Sequence, residues 1–299
     1  MTSSYYLRRA SAVALAKEWT GPQGVTARRV ERRKIGVEAF LRWCYREELP
    51  KCPPMNSKPG EYGFGLPREL VDISNKWGLV PDFNAKSWPH PDAVRAALLI
   101  EEMAGFVAHV PEDWDLFEDM PELGDDGRQA VARAIAAMSV LDDKERDRLR
   151  STPARLLVRH ALLGGAPDWV AEMPERKAVC HSNGRPRWFR TIYTKSKTVA
   201  GSTIENPVEV DGFDTRSRRP FPDAYQKSFL DPDPADIAMS RAEYEIWHAA
   251  TGVVVAELNG CLEAHELEEC ERPNRPWVQN ALAVEGKSEA VFHAGLPSH

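Results

Sequence analysis

The spacing of apolar residues over 240–265 constrains the fold more than any other feature of the chain. Tyr244, Trp247, Thr251, Val254, Leu258, Cys261 and His265 follow one another in alternating steps of three and four. That spacing keeps side chains along one seam of an α-helix. Ser240 with Glu243 supplies a capping-box start, each side chain satisfying a backbone N–H of the first turn. A long helix over 240–265 is therefore expected. Its seam needs a cover, either another helix of the same chain or the same helix of a partner.

Pro and Gly punctuate the rest. Segment 50–67 holds five Pro and three Gly, which excludes a helix interior and reads as a linker. Before it, 26–49 predicts a helix: Thr26 can cap, Val30, Val37, Phe40, Leu41 and Cys44 recur at helical spacing, and Pro50 ends it. After it come a short helix over 68–77 stopped by Gly78, a buried helix from Pro91 stopped by Pro111, and helices near 128–139 and 142–163, with Pro153 able to split the last. The character changes near Pro174. Asn183-Gly184 tolerates the positive φ angles of a hairpin turn, and the aromatic and β-branched runs at 187–194 and 206–211 suit strands. Segment 212–239, with four Pro, reads as mostly irregular, and the stretch from Glu271 as a tail that either docks through Trp277 or stays mobile. The expected fold class is α+β, with a helical N-terminal part, a small antiparallel sheet and a long C-terminal helix. The segments are 1–49 (basic, helical), 50–67 (linker), 68–173 (acidic, helical), 174–270 (hairpin and capped helix) and 271–299 (tail).

The net charge of −6 conceals two basic blocks. Residues 1–58 carry 12 Lys/Arg against 5 Asp/Glu, and 176–219 carry 10 against 4, while the segments that follow each are acidic. Such blocks either meet an anionic partner or pair within the chain. Arg28, Arg29, Arg32 and Arg33 fall on the first expected helix. Arg185, Arg187 and Arg190 interleave with Trp188, Phe189 and Tyr193 on the hairpin, and Arg216, Arg218 and Arg219 follow. Arginine beside exposed aromatics suits phosphate contact with base stacking, so these ten arginines form the candidate nucleic-acid surface. The plainer alternative is a half-buried hairpin whose arginines pair with the acidic blocks. Segment 111–127 has eight acids and no base around Trp114, Leu116, Phe117, Met120 and Leu123. It is a candidate protein-binding element, as is the 240–265 helix.

Enzymatic signatures are sparse. No GxxxxGK[ST], GxGxxG or GxSxG motif occurs, and the five cysteines form no CxxC pair. Cys261 and His265, four apart, would share a helix face as half a metal site, but packing along the seam explains them more simply. Cys180 and His181 would point to opposite faces of a strand. Asp168 and Glu175 near Lys177, and Glu209, Asp211 and Asp214 near Lys227, keep a metal-dependent nuclease as a third reading. No catalytic residue, metal ligand or cofactor is assigned. No apolar run reaches the roughly 18 to 20 residues of a membrane span. The first 19 residues read as a helix rather than a secretory signal, which implies a cytoplasmic protein.

Three stretches carry a family resemblance: 184–190 (GRPRWFR), 210–214 (VDGFD) leading into Arg218-Arg219-Pro220, and 231–234 (DPDP) before Tyr244-x-x-Trp247-His248-Ala249-Ala250. Over about 153–270 the chain resembles an uncharacterised family of proteins from bacterial prophages and related mobile elements. The resemblance implies a genomic context and nothing about mechanism. The leading expectation is a non-enzymatic nucleic-acid-binding or regulatory protein of such an element, with a protein-assembly factor as the alternative.

Overall fold

The computed structural model describes residues 32–51, 75–82, 84–85, 87–105, 114–141, 147–197 and 203–278. The chain forms two compact units, one of residues up to 170 together with those from 238, the other of 171–237. In chain order the first unit holds β1 (Arg33–Gly36), α1 (Val37–Trp43), a π-helical turn (Cys44–Glu48), α2 (Pro91–Met103), a 3-10 turn (Pro121–Leu123), α3 (Gly124–Met138), the paired strands β2 (Ser139–Leu141) and β3 (Asp147–Leu149), and α4 (Pro153–Leu163). The second unit holds β4 (Glu175–Ala178), β5 (Trp188–Lys197), β6 (Thr203–Asp211), β7 (Phe213–Asp214), β8 (Arg219–Pro220), β9 (Tyr225–Gln226) and β10 (Ser228–Asp231). Then come α5 (Pro234–Leu258), whose residues from Ala238 belong to the first unit, and β11 (His265–Glu268). The mixed α+β class with small antiparallel sheets and a long helix near the C-terminus agrees with the sequence reading.

The core of the first unit is helical. Val37, Phe40 and Leu41 of α1, Ala97, Ile100 and Met103 of α2, Leu156 and Leu157 of α4, and Tyr244, Trp247, Val254 and Leu258 of α5 are all buried. Residues 33–36, expected within the helix over 26–49, form a strand instead: they pair in parallel with β11, from Arg33↔His265 to Gly36↔Glu268. Gly36, in an extended conformation, separates strand from helix. Residues 26–31 lie outside the described chain. Pro153 starts α4 rather than splitting a longer helix, because Thr152 Oγ1 accepts from Arg155 N–H and Pro suits the first helical position.

The helix expected over 240–265 is shifted. It begins at Pro234, where Asp233 Oδ1 accepts from Ala235 N–H, so Ser240 sits inside it. It ends at Leu258, and Gly260 at φ +91° turns the chain. The Asn259 side chain then bonds both the N–H and the carbonyl of Leu267, fixing the return into β11. Cys261 and His265 therefore leave the seam. Segment 212–239 holds β7 to β10 as well as the start of α5, more order than its prolines suggest. In 111–127, Leu116, Phe117, Met120 and Leu123 are buried, and Trp277 of the C-terminal stretch is too. No helix among the described residues is long and apolar enough to cross a membrane.

Candidate functional site

The second unit is organised around β5, which pairs antiparallel with β6 from Phe189↔Asp211 to Lys197↔Thr203 and with β9 at Trp188↔Gln226 and Phe189↔Tyr225. Before β5, Gly184 N–H bonds His181 O and Asn183 Oδ1 accepts from Arg185 N–H; Gly184 takes φ +77° but Asn183 no positive φ, so the expected turn forms as a bulged loop rather than a primed two-residue turn. Beyond β6, Gly212 donates its N–H to Trp188 O, and a Cβ there would stand 2.7 Å from the Phe189 backbone. Only glycine permits so close a pass. Because β5 starts where β6 ends, residues 185–187 and the β7–β8 hairpin leave the same end of the sheet. The two basic clusters, some 30 residues apart in sequence, share that end.

Their charges are not equivalent. Arg190 Nε is 2.6 Å from Asp223 Oδ2, and its guanidinium lies over Phe221. Arg187 and Lys227 cover the ring of Phe189, which is buried. Lys227 and Tyr225 each bond one oxygen of Glu209, and with the charge of Arg187 they hold that carboxyl below its ordinary value. Bonds from Ser217 and from Arg216 N–H likewise hold Asp214 low. Arg185, Arg216, Arg218 and Arg219 are exposed and make no ion pair among the described residues. Arg218 takes φ +55°, a conformation that costs an ordinary side chain about 1 kcal/mol or more. Of the aromatics, Tyr193 is 69% exposed and Trp188 half-buried. Arg32 and Arg33 are exposed in the first unit, Arg33 as a strand residue, and Arg28 and Arg29 lie outside the described residues.

The first unit contains a polar cluster that the sequence reading missed. His90 precedes α2 and accepts from Asp92 N–H at Nδ1 (3.0 Å). Asp92, fully buried, accepts from the N–H groups of Glu263 (2.7 Å) and Ala264 (3.0 Å), and Oδ2 lies 2.9 Å from His265 Nδ1. Burial alone would raise the Asp92 carboxyl, but those bonds and the charge of His90 outweigh it and hold it below its ordinary value. Arg95 approaches Asp92 Oδ1 at 3.4 Å and pairs with Glu263 at 2.7 Å. Glu48 accepts from His90 N–H and pairs with Lys51. Trp43 lies 5.5 Å from the His90 ring and 4.7 Å from that of His265, and Phe40 closes the His265 side at 5.6 Å. Cys44 is buried, and desolvation with the charges of Asp92 and Glu48 pushes its thiol well above the ordinary range, so it stays protonated. His90-Pro91-Asp92 carries a helix-start signal, but Asp92 and His265 are 173 residues apart and no spacing rule joins them. The metal half-site weighed at Cys261 and His265 dissolves with the end of α5, and the partners of His265 are His90 and Asp92 instead. Comparison with family models, curated proteins and solved structures finds no match for the chain.

Proposed function

We propose that the protein binds nucleic acid through the basic end of its second unit, as a non-enzymatic regulatory protein of a prophage or related mobile element. The observation that carries the reading is the set of four exposed arginines, Arg185, Arg216, Arg218 and Arg219, without carboxylate partners among the described residues, on the loop before β5 and the β7–β8 hairpin, which leave one end of one sheet. The nearby acids form no ion pair with them: Asp214 caps its own turn, Asp223 is paired with Arg190 and Glu209 with Lys227. Arginine forks in that arrangement suit phosphate oxygens, and the exposed Tyr193 on the same strand as the paired Arg190 offers a stacking face. The protein-docking alternative has less support in this unit, since exposed Tyr193 and Val208 belong to opposite faces of the β5–β6 pair.

The test is a salt titration of binding to short fluorescent DNA and RNA strands and duplexes. Replacing Arg185, Arg216, Arg218 and Arg219 together by Gln should weaken binding and reduce the salt slope by up to about 3.6 on duplex DNA, at about 0.9 for each phosphate no longer neutralised. An unchanged slope, or no binding by the wild-type chain at low salt, refutes the proposal.

A further inference from the structure

We propose that His90, Asp92 and His265 bind one first-row divalent cation of the Zn2+ type. The site lies in the first unit and is independent of the nucleic-acid reading. One nitrogen of each imidazole and one carboxylate oxygen lie within 4.8 Å of one another. A tetrahedral ion with bonds near 2.1 Å sets its ligand atoms about 3.4 Å apart. The separations from Asp92 Oδ2 bracket that value, at 2.9 Å to His265 Nδ1 and 3.8 Å to His90 Nδ1.

Three features make the cluster a site rather than a chance meeting. First, its geometry is fixed before any ion arrives: the amides of Glu263 and Ala264 aim the Asp92 carboxylate, and the Glu48 carboxylate holds the His90 backbone. Second, the charge suits a cation. Asp92, Glu263 and Glu48 stand against Arg95 and Lys51, one negative charge in excess. Third, the site is walled on one side and open on another. Trp43 and Phe40 cover His265, whereas the His90 side chain is 32% exposed, leaving room for a water as a further ligand.

Two imidazoles with one carboxylate favour zinc, cobalt, nickel or ferrous iron over magnesium or calcium, which prefer oxygen ligands. The ion replaces the proton between His265 Nδ1 and Asp92 Oδ2. That proton moves to Nε2 of the same ring, so the neutral imidazole is conserved and Nδ1 ligates. Ligation through His90 Nδ1 exchanges the cap bond from Asp92 N–H for the ion, while the Glu263 and Ala264 amides keep the Asp92 carboxylate in place.

The test is calorimetric titration of the chelator-treated full chain with Zn2+, repeated with Co2+ to follow its visible absorption and with Mg2+ as a control. One Zn2+ should bind at micromolar concentration or below, Co2+ should give the intense visible bands of a low-symmetry site, and Mg2+ should not compete. His90→Ala should keep the fold by circular dichroism, because the side chain is partly exposed, and weaken Zn2+ binding about tenfold or more. Since His265→Ala also removes a buried clasp, its readout is the melting temperature with and without Zn2+: the wild-type chain should gain stability from the ion and the variant should not. No saturable Zn2+ binding, or equal affinity in His90→Ala, overturns the proposal. Equal affinity would place the ion on other His or Cys residues.

Discussion

Removing the Asp119 carboxylate should destabilise the first unit more than removing the arginine it holds. Arg241, the eighth residue of α5, is 1% exposed, and its two Nη atoms bond Asp119 at 2.6 and 2.8 Å, with a further bond from Nη1 to Leu116 O at 2.7 Å. Trp277 and Phe117 enclose the guanidinium. In Asp119→Ala the cation stays buried with one carbonyl as its remaining partner. Breaking a buried pair from one side costs about 3 to 5 kcal/mol, and the 14% exposure of the Asp119 side chain places this case near 3. Arg241→Met instead keeps the stem packed against Trp277 and leaves a carboxylate that water can reach, for about 1 to 2 kcal/mol. In the double variant Asp119→Ala adds little, so the pair should couple by roughly 2 kcal/mol. Urea unfolding followed by circular dichroism measures this: Asp119→Ala should lower the midpoint by about 1 to 3 M at unchanged slope. A loss below about 1 kcal/mol in Asp119→Ala, or additivity in the double variant, would refute the reasoning.

Trp247→Ala and Leu258→Ala should each cost about 2 to 5 kcal/mol, since both are buried on α5; melting shifts near zero would contradict that packing. Gly212→Ala should loosen the second unit by about 1 to 3 kcal/mol, because its Cβ meets backbone of Phe189 that cannot yield. Hydrogen exchange at β5 and β6 amides reads this, and unchanged protection would contradict it. Burial, with the charge of Arg159, lowers the His160 imidazole below its ordinary value, so folding favours the neutral ring. That contribution is complete above the unfolded value of about 6.5 and is lost as pH falls through the lower folded value. His160→Gln should therefore flatten the decline in melting temperature below about pH 6.5, and an unaltered decline would exclude His160 as its source.

What was legible in the sequence was local. Pro91 at a helix start, Asn183-Gly184 in a turn and the step pattern from Tyr244 to Leu258 each act within a few residues, and each found its element. The same step pattern overran at Cys261 and His265, because spacing cannot register that Asn259 and Gly260 have already turned the chain. Strands β1 and β11 escaped for the opposite reason: four residues carry too little periodicity, and their partner is over 200 residues away. At the candidate interface the arginines were visible as charge. That Asp223, 33 residues further on, would claim Arg190 and leave Arg185 unpaired depends on register across β5 and β9. The His90, Asp92 and His265 cluster was invisible, since it exists only once the two separate segments of the first unit pack together.

The parallel pairing of 33–36 with 265–268 also sets a timetable for synthesis. A ribosome adding roughly 5 to 20 residues per second releases β11 some 10 to 50 s after β1. During that interval Phe40 emerges without the His265 ring of β11 that packs against it, and closing so long a loop carries an entropic cost that delays the native pairing further. The second unit, contiguous over 171–237, needs no such wait and can complete its sheet first. The newborn chain therefore passes through a stage in which its later-encoded unit is ordered while its N-terminal helices still depend on whatever in the cell shields apolar surface.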